Sequence, residues 1–166
     1  RTEVDDPYLA LDLIRRHSLA SLGYQEFGRR LTAEFHDALP PAVVLVPSTA
    51  HYSWEKICRS LGIGGSNLQH VPVDDHFRMD IDALAETLRE LSNRRRPVIA
   101  CVPVIGTTEE SAIDRLDQVV ELRHWAEREL GMAFHLHADA AYGGYAAAVT
   151  RAPDGERRDY AEIAAS

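Results

Sequence analysis

Val98-Ile99-Ala100-Cys101-Val102 is an unbroken apolar run that ends in Pro103 and the turn Gly106-Thr107-Thr108. Asp114 then caps a helical pattern that carries Leu116, Val119, Val120 and Ala126 on one face and stops at Gly131. A strand with no polar alternation is buried on both faces, and such strands belong to parallel sheets. The amphipathic helix that follows supplies the cover for one of those faces. Strand, turn and helix together read as one step of a repeating βαβ architecture.

The same alternation runs outward in both directions. Upstream, Val43-Val44-Leu45-Val46 is a second buried strand, from which Ser48-Thr49-Ala50 leads into a helix through Trp54, Ile57, Cys58 and Leu61. Gly62, Gly64 and Gly65 stop that helix. Leu68 to Val73 reads as another strand, and Asp80 caps a helix bearing Ile81, Leu84, Leu88 and Leu91. Downstream, Phe134-His135-Leu136-His137-Ala138 is the last strand, followed by Asp139-Ala140-Ala141-Tyr142-Gly143-Gly144 and a loop with a short helix-like tail to Ser166. The pattern predicts an α/β fold: a three-layer α/β/α arrangement around a mostly parallel sheet. Residues 1–41 form a helical lead-in. Leu9, Leu13, Ile14, Tyr24, Phe27, Leu31 and Phe35 recur there at helical spacing, with a break at Gly23 and an end at Pro40-Pro41. Residues 42–166 are the α/β portion.

Composition narrows the function. At 166 residues, 45% hydrophobic and 27% charged, the chain has the make-up of a globular domain with a real core. A net charge of −8 argues against a nucleic-acid surface. The basic run Arg94-Arg95-Arg96 lies between a helix and a strand and reads as a solvated turn. No apolar run reaches the roughly 20 residues of a membrane span, and the polar, acidic start is unlike a signal peptide. The absence of an initiator Met leads to the expectation that the natural chain begins upstream. Cys58 and Cys101 sit in apolar contexts without metal-ligand spacing, as buried free thiols of a cytoplasmic protein do.

Ligands of open α/β sheets bind beyond the carboxyl ends of the strands. Three such ends carry reactive side chains here: His51, the pair Thr107 and Thr108, and Asp139. Taken singly, an aspartate after a strand is most often a turn former, a lone histidine structural, and a threonine part of its turn. Their convergence at one sheet edge is what points to a site.

The wording of these segments goes further. Thr49-Ala50-His51-Tyr52-Ser53-Trp54-Glu55-Lys56 resembles the histidine segment of the group II pyridoxal-phosphate decarboxylases, the family of the glutamate, aromatic amino-acid and histidine decarboxylases. Gly106-Thr107-Thr108-Glu109-Glu110-Ser111-Ala112-Ile113-Asp114 is similar to its glycine-threonine turn, and His137-Ala138-Asp139-Ala140-Ala141-Tyr142-Gly143-Gly144 to its aspartate motif. The resemblance runs from about Val43 to Ser166. It implies the large domain of a fold type I enzyme, of which residues 1–166 are a part, with pyridoxal 5'-phosphate (PLP) as cofactor and an L-amino acid as substrate. Asp139 is then the partner of the pyridine nitrogen, keeping it protonated so that the ring accepts electrons. His51 stacks on one ring face and lies near the reacting carbon, Ala141 lies against the other face, and Thr108 and Thr107 line the pocket. His51 and Asp139 are the residues expected to be catalytic. A cytoplasmic homodimer also follows from the resemblance.

The family anchors PLP on a lysine beyond the aspartate motif, and of the 18 basic residues only Lys56 is a lysine. Lys56 reads as a surface helix residue, more than a turn from His51. The anchoring lysine and the glycine-rich phosphate segment are therefore expected outside these residues, which alone are expected to be inactive. Alternative readings are a PLP-dependent carbon–carbon or carbon–sulfur lyase of the same fold, a catalytically incomplete subunit, and a metal-dependent hydrolase using His135 and His137, which period-2 alternation puts on one strand face. No metal ligand is expected on the favoured reading.

Overall fold

The computed structural model describes residues 6–35 and 40–148. The chain divides into two compact units, residues 1–40 and 41–166. The first contains α1 (Pro7–His17) and α2 (Leu19–Phe35). Asp6 caps α1 by accepting the Tyr8 N–H, and Gly23, at φ 71° and ψ 164°, interrupts α2 where the sequence places a break. The junction between Phe35 and Pro40 and the tail beyond Ala148 lie outside the described residues.

The second unit is a four-stranded parallel sheet with helices on both faces. Its elements are β1 (Val43–Pro47), α3 (Ser53–Ser60), β2 (Leu68–Val71), α4 (Ile81–Asn93), β3 (Val98–Cys101), α5 (Leu116–Glu129) and β4 (His135–Leu136). The strand order is β2-β1-β3-β4, and all three pairings are parallel. β1 is central, and all five of its residues are buried. Alternate residues of β1 feed two cores. Val43 and Leu45 pack with Leu84, Leu88 and Leu91 of α4 and Val119 and Ala126 of α5. Val44 and Val46 pack on the other face with Cys58, Leu68 and Val102, against which Trp54 of α3 lies. Each such side chain contributes about 1.5–3 kcal/mol by leaving water, so the two-sided burial of β1 fixes the layer order. Cys58 and Cys101 are both buried and free. Burial, aided by the nearby Asp114 charge, pushes the Cys101 thiol up to about 12.

Three elements differ from their sequence reading. β2 stops at Val71, and Val73 makes only an isolated antiparallel bridge to Met79. β4 is two residues long, with Val104 and Asp139 forming a separate parallel bridge beyond it. Asp114 does not cap α5: Arg115 holds the N-cap position, and no side chain caps that end. Asp114 is instead 3% exposed, and its carboxylate accepts the backbone N–H groups of Met79 and Val104, both at 2.6 Å. Two buried donors with no other partner outweigh a helix terminus that water can satisfy.

Candidate active site

The carboxyl ends of β1, β3 and β4 open onto one cavity of about 620 Å³. His51, Thr107, Thr108, Asp139 and Ala141 all line it, so the structure brings together every residue that the sequence nominates. The size suits a cofactor-sized ligand, for which pockets run from about 300 to 1,000 Å³.

Each wall is built locally. After β1, Ser48 donates both its N–H and its hydroxyl to Val71 O at 2.9 Å, which turns the chain toward α3. His51 sits just before that helix, with its ring tilted against Tyr52 at a centroid separation of 4.1 Å. Its Nδ1 accepts the Ser53 N–H at 3.3 Å, which places the proton of the neutral ring on Nε2. Lys56 is exposed, with Nζ 4.5 Å from the centroid of the Tyr52 ring, and does not line the cavity.

After β3 the chain forms a tight loop. The Gly106 and Thr107 N–H groups both donate to Ala112 O at 3.0 Å, and Asp114 N–H donates to Val104 O. Thr107 is 3% exposed, and its Oγ1 accepts the Ala112 N–H at 2.9 Å, so it builds the turn while lining the cavity. Thr108 is exposed toward solvent on the same wall.

After β4 the chain is stitched onto this loop. Asp139 N–H donates to Pro103 O at 2.9 Å, and Ile105 N–H donates to Asp139 O at 2.8 Å. Gly143 N–H donates to Ile105 O at 2.8 Å, a contact so close that a Cβ on Gly143 would stand 2.2 Å from that oxygen. Both carboxylate oxygens of Asp139 are held. Oδ2 accepts the indole N–H of Trp54 at 2.8 Å, and Oδ1 accepts the Ala141 N–H at 3.3 Å. Trp54 also meets His137 edge-on at 5.6 Å. Sequence reasoning placed Trp54 on the apolar stripe of its helix and missed that its polar edge reaches the site. The one available signal was its position three residues after His51, one helical turn along.

Asp139 is only partly buried, and each of its oxygens has a second acceptor position free for a ligand N–H. The arrangement offers an oriented carboxylate at one wall, an imidazole at another and a small side chain, Ala141, beside the carboxylate. His135 and His137 lie with ring centroids 6.3 Å apart. Among the described residues no group of three or more His, Cys, Asp or Glu side chains is placed to hold a metal ion. No helix among them is long and apolar enough to cross a membrane.

The profile of the pyridoxal-dependent decarboxylase conserved domain matches residues 25–155, starting inside α2 and so earlier than the motif resemblance near Val43. The L-tyrosine decarboxylase of Enterococcus faecium is 44% identical over 120 residues, 72% of this chain and 20% of that protein. That of Levilactobacillus brevis is 47% identical over 105 residues, 63% of this chain and 17% of that protein. The chain thus spans about a fifth of the length of these curated relatives. Among solved structures, mouse CSAD in its apo form superimposes with a TM-score of 0.59 at 26% identity, over 82% of this chain and 25% of that one. The glutamate decarboxylase domain of a Vibrio parahaemolyticus enzyme shares the fold, with a TM-score of 0.60 at 24% identity over 82% of this chain and 26% of that one.

Proposed function

The chain belongs to the pyridoxal-dependent decarboxylase family, and from that premise we propose that it is part of an enzyme that removes carbon dioxide from an L-amino acid. The observation that carries the proposal is the Asp139 carboxylate, oriented by two N–H donors at the wall of a cavity that His51 also lines. These residues suit PLP: a carboxylate with open acceptor positions for a protonated ring nitrogen, an imidazole to lie on a flat ring, and a methyl side chain at Ala141 that leaves it room. When bound, PLP supplies the electron sink for the pair released at Cα.

The chain's own residues do the rest. Asp139 holds a proton on the ring nitrogen, since a carboxylate beside it favours the charged form. With PLP bound, His51 would cover one face of the ring, with its Nε2–H toward the reacting carbon, and Ala141 would lie against the other face. Thr108 and, through its free hydroxyl hydrogen, Thr107 orient the cofactor or substrate. Lys56 lies over Tyr52 and does not line the cavity, so the lysine that anchors PLP is assigned to the rest of a longer protein. Residues 1–166 alone are then inactive, and the two units belong to one PLP-binding large domain of a cytoplasmic homodimer. L-Tyrosine is the first substrate to test, given the two bacterial relatives.

The test is borohydride reduction of the full-length protein with PLP, peptide mapping, and assay of amine and carbon dioxide from L-tyrosine and other amino acids. A phosphopyridoxyl-lysine and a matching amine are expected. Asp139→Ala should lower kcat at least about a hundredfold, the scale of losing one preorganised charged partner. No adduct, or wild-type turnover in that variant, overturns the reading.

A further inference from the structure

We propose that Trp54 is a positioning residue for the Asp139 carboxylate, its indole N–H fixing the orientation in which that group would meet the ring nitrogen of PLP. The inference rests on the reading above and extends it to a residue outside the three strand ends that define the site. Trp54 and Asp139 are 85 positions apart, and the bond between Nε1 and Oδ2, at 2.8 Å, joins the helix after β1 to the loop after β4 across the end of β3.

The indole is held from behind. It packs on Val44, Val46, Cys58, Leu68 and Val102, and the His137 ring meets it edge-on. A tryptophan serving only as core needs some acceptor for its N–H, and a backbone carbonyl suffices. Here the acceptor is the one carboxylate among the described residues that line the cavity. With Ala141 N–H on Oδ1, both oxygens are pinned and the plane of the carboxylate is set.

Removing the Trp54 N–H leaves Oδ2 without its protein donor and lets the carboxylate rotate. A carboxylate that must be ordered on binding would hold the ring nitrogen less well, which weakens cofactor retention and, with it, turnover.

The experiment uses the full-length holoprotein with Trp54→Phe, and with benzothienylalanine at position 54, which replaces the N–H by sulfur at nearly unchanged shape. The readouts are the PLP dissociation constant, the absorption spectrum of bound PLP across pH, and kcat against KM. Both variants should bind PLP about tenfold more weakly and lose about tenfold in kcat with KM unchanged, the worth of one hydrogen bond to a charged group. The absorption spectrum of bound PLP should change in both. In an Asp139→Ala background, Trp54→Phe should cost nothing further in PLP affinity. If Trp54→Phe does not fold, the isosteric variant decides. Unchanged affinity and spectrum, or an equal loss in the Asp139→Ala background, overturns the proposal. Failure of the wild-type protein to take up PLP overturns the family-based function and this inference together, whereas uptake with unaffected variants overturns this inference alone.

Discussion

Asp114 is buried, yet it accepts two backbone N–H groups at 2.6 Å. Burial raises its pKa above the ordinary carboxylate value more than those two donors lower it. The folded chain therefore holds this proton more tightly than the unfolded chain does. The resulting stability is fully present below the unfolded pKa and is lost as pH rises through the folded one. Asp114→Asn removes that slope and replaces two acceptor oxygens by one, leaving a buried N–H unpaired. Urea unfolding at neutral pH should show a loss of about 1–3 kcal/mol, and the difference between variant and wild type should shrink as pH rises from acid. A constant difference across pH would mean that the carboxyl group is not the source. At this scale His51, Thr107, Thr108 and Asp139 were legible from strand ends and a turn, and Ala141 from the family resemblance; all five line the cavity. The sequence presented Trp54 as an apolar helix residue within the histidine segment, without its hydrogen bond, and was misleading on Asp114. Which way a side chain points from its element, and which distant donor needs it, is decided by tertiary contacts that no local pattern encodes.

Among the elements, β1 was legible because Val43 to Val46, a short run rich in β-branched residues, suits a strand buried on both faces. Asp80 was legible as a cap, and it does accept the N–H groups of Asp82 and Ala83. β4 was overread: five residues look strand-like, but only His135 and Leu136 form the strand, and Asp139 bridges separately to Val104. The loop after it is instead fixed by close backbone approach. Gly143 has no unusual φ, so its requirement is one of space alone: a Cβ would meet Ile105 O at 2.2 Å, whereas one on Gly144 would stand 3.3 Å from the Ala140 Cβ. Gly143→Ala should cost about 1–3 kcal/mol, as overpacking does, and should weaken PLP binding by shifting Asp139. Gly144→Ala should do much less. Thermal unfolding and PLP titration of the two variants check this, and equal behaviour would show that the loop yields freely.

For the whole molecule, the site is assembled from three strand ends that no single βα unit contains. A ligand that touches all three stabilises the fold by mass action, by about 2.7 kcal/mol at a concentration one hundred times its dissociation constant. PLP should raise the melting temperature of the wild-type protein, and Asp139→Ala should lose most of that gain at the same PLP concentration. An equal shift in both would place the ligand elsewhere. The central position of β1 has a second consequence, on the ribosome. Its partner β3 begins at Val98, 55 residues after Val43, and β2 begins at Leu68. At 5–20 residues per second, β1 waits roughly 3–11 s for its inner neighbour. During that interval the edge of β1 that faces β3 stays open, and the edge that faces β2 stays open until Val71 has emerged, so nascent-chain shielding bears on how much protein survives synthesis.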